Sequence, residues 1–179
     1  MFEVVVYMLN LINFSHGLES ELNRSQPQSI VTDNRGTIRY YTNGLLHNEN
    51  GPAIIYKHGR KEWYINGKKH RENAPAVENN QDFFWYYNDK LHRIDGPACI
   101  FKCGDTYWYQ NDKIHRVGGP AIEYANNDKF YYNNGQRHRL DGPAIEYGDG
   151  SKFWFINGIQ IDCDSNEEFL RIIKMKELL

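Results

Sequence analysis

The sequence lacks most of the marks of an enzyme. It has no Gly-rich phosphate loop, no nucleophile elbow and no His-Glu-x-x-His pair. Paired carboxylates such as Glu167-Glu168 stand at the head of a helical pattern, where capping accounts for them. Neither sign of charge is in excess: 21 Lys and Arg against 23 Asp and Glu leave a net charge of −2. A general binder of nucleic acid or anionic membrane carries a basic surplus, so this balance argues against both. No apolar run is long enough to span a bilayer. Val4-Val5-Val6-Tyr7-Met8-Leu9 breaks at Asn10 and resumes at Leu11-Ile12. Glu3 stands where a secretory leader would be basic, and no small-residue cleavage site follows, so no leader is expected. Cysteine is scarce and odd in number, with Cys99, Cys103 and Cys163. A reducing compartment, and so a cytoplasmic location, is the expectation. Cys99 and Cys103 have no second Cys or His pair beside them, so they read as small strand residues and not as a zinc site.

What the chain has instead is a repeat. Asn43, Asn66, Asn88, Asn111, Asn134 and Asn157 are spaced by 23 residues, with one step of 22 between Asn66 and Asn88. Pro52, Pro75, Pro97, Pro120 and Pro143 keep the same phase. A period of this size marks a linear array whose units are too small to bury their own apolar faces. Each unit reads as two short strands and two turns. The first strand ends in an aromatic pair: Tyr40-Tyr41, Trp63-Tyr64, Trp85-Tyr86, Trp108-Tyr109, Tyr131-Tyr132, Trp154-Phe155. Two residues later comes Asn-Gly or Asn-Asp, the chemistry of a primed hairpin turn with positive φ at both central residues. The second turn is Asx-Gly-Pro, as in Asp95-Gly96-Pro97, where Gly is expected to supply unusual φ. On that reading Ala74, in Asn73-Ala74-Pro75, carries strain. Ala53, Ala76, Ala98, Ala121 and Ala144 follow each Pro. Nothing larger appears there, which suggests that a neighbouring ring lies across the spot. Alternation along a strand sends the paired rings to opposite faces, giving two aromatic columns back to back.

The aromatic two before Asn, the Asn-Gly and the His four after Asn, as in Tyr64, Asn66, Gly67 and His70, resemble the MORN repeat. Where MORN units follow the His with Gly-x-Gly, this chain has His-Arg-x-Asp-Gly-Pro-Ala. It is therefore similar to a variant found in uncharacterised proteins of phages and large DNA viruses. The resemblance covers residues 33 to 160 and implies scaffold, dimerisation or lipid-binding roles. The fold expected is all-β: an elongated single-layer antiparallel sheet of about six hairpin repeats, capped at both ends. Residues 1–31 are the expected N-terminal cap and linker, 32–162 the array, and 163–179 a capping helix. The cap run Val4 to Ile12 has membrane association as its alternative. In the helix, Ser165 and Glu168 form a capping box, and Phe169, Ile172, Ile173 and Leu179 share one face.

One column invites a functional reading: His47, His70, His92, His115 and His138, with Arg71, Arg93, Arg116 and Arg139 after the last four. Two strands of about 4.8 Å separate successive copies, so the His residues stand roughly 10 Å apart. Zinc takes ligands at about 2 Å, so they cannot converge on one ion. Every copy also has like neighbours, whereas an active site needs one unlike constellation. The structural expectation is that each His hydrogen-bonds a turn carbonyl and that Arg93 and Arg139 pair with Asp95 and Asp141. No catalysis, metal or cofactor is expected. Two functions remain: a non-catalytic module that docks a protein partner, or capture of a nucleotide or nucleic acid through its phosphates. If the viral resemblance carries over, the protein partner is a host or defence protein that this one blocks, in the host cytoplasm. The candidate binding residues are His70, Arg71, His92, Arg93, His115, Arg116, His138, Arg139, Trp63, Trp85 and Trp108. A monomer or an end-on homodimer is expected.

Overall fold

The computed structural model describes residues 28–177. They form an elongated, open, all-β array with one helix, Asn166–Glu177, at its C-terminal end. Thirteen strands follow one another antiparallel in a long sheet, and Leu45–Leu46 joins it beside Ile38–Thr42. The first described strand, Gln28–Thr32, pairs with Ile38–Thr42 and sets Ile30 opposite Tyr40. The apolar run Val4 to Ile12 lies outside the described residues. No helix among those described is long and apolar enough to cross a membrane.

The copy from Cys99 to Ala121 shows the unit. Cys99–Ile100 turns back into Thr106–Tyr107, which pairs with Ile122–Glu123 of the next copy. At Trp108 the chain leaves the long sheet. The Trp108 N–H still donates to the Ala121 carbonyl at 2.7 Å, while its own carbonyl accepts from the His115 N–H at 3.1 Å. Beyond it, Tyr109–Gln110 and Lys113–Ile114 form a separate small hairpin. Four such hairpins stand in a second row beside the long sheet. Backbone bonds tie the row together: Asp112 N–H donates to Leu91 C=O at 3.0 Å, and Gly135 N–H to Ile114 C=O at 2.8 Å.

Each full copy thus holds four strands and three turns, where the sequence predicted two of each. The additional turn is the stretch from Phe101 to Gly104, which places Gly104 at φ 100°. Gly59, Asn127 and Gly150 take left-handed φ at the same place in other copies. This turn also explains the single step of 22. Between Val77–Asn79 and Asp82–Phe84 it shrinks to Asn80-Gln81, both left-handed, with Asn79 opposite Asp82.

The Asn turns form as predicted. All six Asn residues lie at φ 49–54°, and the Gly or Asp after each lies at 63–86°. The Asx-Gly-Pro loops differ from expectation. Gly51, Gly96, Gly119 and Gly142 are not left-handed, and Ala74 carries no such strain. In its copy the left-handed position is Asn73, at φ 58°, and two copies on it is Gly118, at 75°.

The core is thin and repeated. Ala53, Ala76, Ala98, Ala121 and Ala144 are fully buried. Around Ala144 gather Ile145 and Phe155, with Phe130 and Tyr131 against them, so rings do lie over this alanine. A further aromatic column was not foreseen. Phe84, Phe101, Tyr107, Tyr124, Phe130, Tyr147 and Phe153 touch edge to face in that order, with ring centres 5.3–6.0 Å apart. Each such pair contributes about 0.5–1.5 kcal/mol beyond its buried area. One copy earlier, Glu62 holds the ladder position. It is buried, with Arg60 at 2.6 Å and the Tyr64 hydroxyl donating to it at 2.9 Å, and the ladder starts only after it.

The helix seats on the last copy. Glu168 N–H donates to Ser165 Oγ at 3.2 Å, and the Glu168 carboxylate accepts from Asp164 N–H at 3.0 Å. This is the expected capping box, with its return bond one residue earlier. Phe169 is fully buried, and Ile172 and Ile173 are half-buried. Leu179 is outside the described residues. The Trp154 indole donates to Asn166 Oδ1 at 3.4 Å, so the helix closes over the final aromatic pair.

Candidate binding rim

The His column lies at the second row and acts between copies. Nδ1 of His47, His92, His115 and His138 accepts from the backbone N–H of Asn66, Asn111, Asn134 and Asn157, at 3.1–3.2 Å. The partner is therefore not a turn carbonyl, as expected, but the first N–H of the next copy's turn. Nδ1 is the acceptor, so the proton of the neutral ring sits on Nε2. The sixth copy has no successor, and there the equivalent residue is Ile161. In this column His stands in each of the five copies that another copy follows, and four of the five bond to the next turn. His70 departs from the rule. Its Nδ1 is buried without a partner, and its ring leans on Tyr87 with centres 4.7 Å apart.

The Arg column is a set of layers. The Arg71, Arg93, Arg116 and Arg139 guanidinium groups lie 3.9–4.2 Å above the rings of Trp63, Trp85, Trp108 and Tyr131. The loop glycine closes the other side: a Cβ on Gly96 would stand 2.6 Å from Arg93 Cζ, and one on Gly119 2.9 Å from Arg116 Cζ. Those glycines give the guanidinium room and not positive φ, while in the Arg71 copy Ala74 holds the place with the stack kept at 3.9 Å. Each Arg Nη1 donates to the carbonyl of the loop proline, Pro75, Pro97, Pro120 or Pro143, at 2.9–3.3 Å. Nη1 of Arg71, Arg116 and Arg139 also pairs with Glu78, Glu123 and Glu146. Arg93 and Arg139 pair with Asp95 and Asp141 as expected, and the guanidinium bond holds both carboxyls below their ordinary range. In the first copy Asn48 replaces Arg, donating to Pro52 C=O at 3.0 Å.

These contacts decide what the rim can do. The rings of Trp63, Trp85 and Trp108 are each covered on one face by a guanidinium, so none offers both faces for stacking. Burial pushes the Cys99 thiol up to about 12, which removes it as a nucleophile. Among the described residues no three His, Cys, Asp or Glu side chains gather as a metal site. The sequence reading missed the position after each Arg. Ile94, Val117 and Leu140 stand 75%, 84% and 53% exposed on successive loops, whereas the earlier copies carry Glu49 and Glu72 there. The signal was the variable residue of His-Arg-x-Asp-Gly-Pro, which turns apolar in the last three copies. Neither the models of known families nor the curated proteins compared with this chain match it.

Proposed function

We propose that the chain is a non-catalytic, MORN-like repeat module that docks a protein partner along its Asx-Gly-Pro rim. The observation that supports this is the aligned, exposed series Ile94, Val117 and Leu140 beside His and Arg side chains already bonded within the array. Apolar side chains repeated in register on loop tips contribute little to the core, and a row of them suits a docking surface. Phosphate capture needs free donors, and the Arg donors of this rim already face loop carbonyls and carboxylates. Following the likeness to phage and large DNA virus repeats, the partner class is a host or defence protein that the array blocks in the cytoplasm.

The test replaces Val117 with a photo-crosslinking phenylalanine analogue in extracts of the native host. The expected result is a protein adduct that persists at high salt and is lost in Leu140→Asp. An adduct to nucleotide or nucleic acid that fades as salt rises would instead establish phosphate capture.

A further inference from the structure

The chain holds five Asn-Gly pairs, and the fold treats them unequally. In such a pair the glycine, with no Cβ, leaves its own nitrogen free to reach the asparagine side chain. That nitrogen gives its proton to water, and its electron pair attacks Asn Cγ. The new N–Cγ bond closes a cyclic imide. The Cγ–Nδ2 bond breaks, and Nδ2 leaves as ammonia. Water then opens the imide. Cleavage of the N–Cγ bond gives aspartate. Cleavage on the other side of the nitrogen, at the former Asn carbonyl carbon, gives isoaspartate, with the main chain rerouted through the side chain. The net change is one water consumed and one ammonia released. The nucleophile is the Gly N–H, so a hydrogen bond that holds it, in a turn held shut, slows the reaction.

Four of the pairs sit in the same turn with the same backbone. Asn43, Asn66, Asn134 and Asn157 lie at φ 49–54°, and the glycines after them at 74–86°. Conformation therefore does not separate them, but the neighbouring copy does. Gly67, Gly135 and Gly158 N–H donate to Leu46, Ile114 and Arg137 C=O of the preceding copy at 2.8–2.9 Å. The Asn N–H before each of them donates to an imidazole of that copy at 3.1–3.2 Å. Asn43-Gly44 belongs to the first copy and has no preceding hairpin to hold it. Among the described residues neither N–H of this pair has a hydrogen-bond partner, and both residues are exposed. Nothing stands within 4 Å of a Cβ built on Gly44. The fifth pair, Asn50-Gly51, lies in the Asx-Gly-Pro loop of the same copy, and Gly51 N–H also has no partner among the described residues. Its counterparts Asp95-Gly96 and Asp141-Gly142 are protected differently. Arg93 and Arg139 hold those carboxyls ionised, and an ionised carboxylate offers no leaving group. We infer that the first copy is the array's site of spontaneous deamidation, at Asn43 and Asn50, and that the bonds between copies protect Asn66, Asn134 and Asn157.

The full chain is held in mildly alkaline buffer, sampled over weeks and digested at low pH. Mass spectrometry with electron-transfer fragmentation then separates aspartate from isoaspartate at each site. The expected result is conversion at Asn43 and Asn50 at least about tenfold faster than at the other three, as the loss of one or two ordinary hydrogen bonds implies. In strong urea the five rates should converge, which assigns the difference to the fold and not to the flanking sequence. Amide exchange reads the cause directly: Gly44 N–H should exchange about tenfold or more faster than those of Gly67, Gly135 and Gly158. The inference is overturned if Asn43 reacts no faster than Asn66, Asn134 and Asn157, if the same spread of rates survives in urea, or if Gly44 exchanges as slowly as the other three. Slow conversion at Asn50 alone strikes that site and leaves Asn43 standing.

Discussion

Gly96→Ala isolates the layered arginine. The added Cβ would lie 2.6 Å from Arg93 Cζ, 2.8 Å from Nε and 2.8 Å from Nη2, so the guanidinium must shift, as beside Ala74, where Arg71 still stacks on Trp63 at 3.9 Å. Complete displacement, the upper limit, removes the stacking on Trp85 at 4.2 Å, about 0.5–2 kcal/mol. It also removes the bond to Pro97 C=O at 3.3 Å, about 0.5–1.5 kcal/mol. Against this stands a gain of about 0.4–1 kcal/mol from the stiffer unfolded chain, because Gly96 is not left-handed and Ala fits its backbone. The net expectation is a loss of up to about 2 kcal/mol, smaller the more of the stack the guanidinium keeps. In the Arg93→Ala background the same substitution meets nothing, so it should be neutral or stabilising by up to about 1 kcal/mol. Urea melts of the four proteins of this double-mutant cycle read the coupling directly. A Gly96→Ala loss that persists unchanged without Arg93 refutes the steric account. Gly59→Ala is the contrast: at φ 97° with nothing within 4 Å, its cost is backbone strain, which no partner substitution relieves.

His115→Leu should cost about 0.5–1.5 kcal/mol by stranding the Asn134 N–H, and His115→Asn should recover part of it; His70→Leu should cost less, because its Nδ1 has no partner, and thermal melts rank the three. Acidification should destabilise the array. Asp33, which accepts the Thr37 N–H and pairs with Arg39, titrates at about 2 in the fold, and Asp95, Asp141 and Asp149 are also held low. Depressed folded values mean that their stabilisation is complete above the ordinary carboxylate value near 4 and is lost as pH falls through the folded ones, so the melting temperature should drop between about pH 4 and 2. A thiol reagent at neutral pH should label exposed Cys103 quickly and buried Cys99 only on unfolding; equal rates by mass spectrometry would contradict the burial of Cys99.

The features legible in the sequence were those where one residue type has one physical use. Asn before Gly or Asp in a short hairpin means left-handed φ, and all six turns show it. Glycine has two uses, and the loop glycines were assigned the wrong one. Gly96 gives room to the guanidinium of Arg93 three residues earlier, and no local pattern separates that from a need for positive φ. Histidine both donates and accepts, so its place was evident but the direction of its bond was not. The third turn was hidden by variety, since Lys57-His58-Gly59, Asn80-Gln81 and Asn126-Asn127 share only a tolerance for left-handed backbone. The exposed series Ile94, Val117 and Leu140 escaped notice because apolar residues are first assigned to cores, and only the fold shows these on loop tips.

The imidazole bond has a direction, and it gives the array a head and a tail. Four of the first five copies carry this catch for their successor, His70 being the exception, so a duplicated block that includes one of those four brings its own catch. Lengthening past the sixth copy is a different matter. Ile161 presents no nitrogen to a further turn, and the helix that buries Phe169 bonds instead to Trp154 and to the Asp141 carbonyl. The last copy thus differs from four of its predecessors by one missing acceptor. Ile161→His would supply that acceptor to an appended copy.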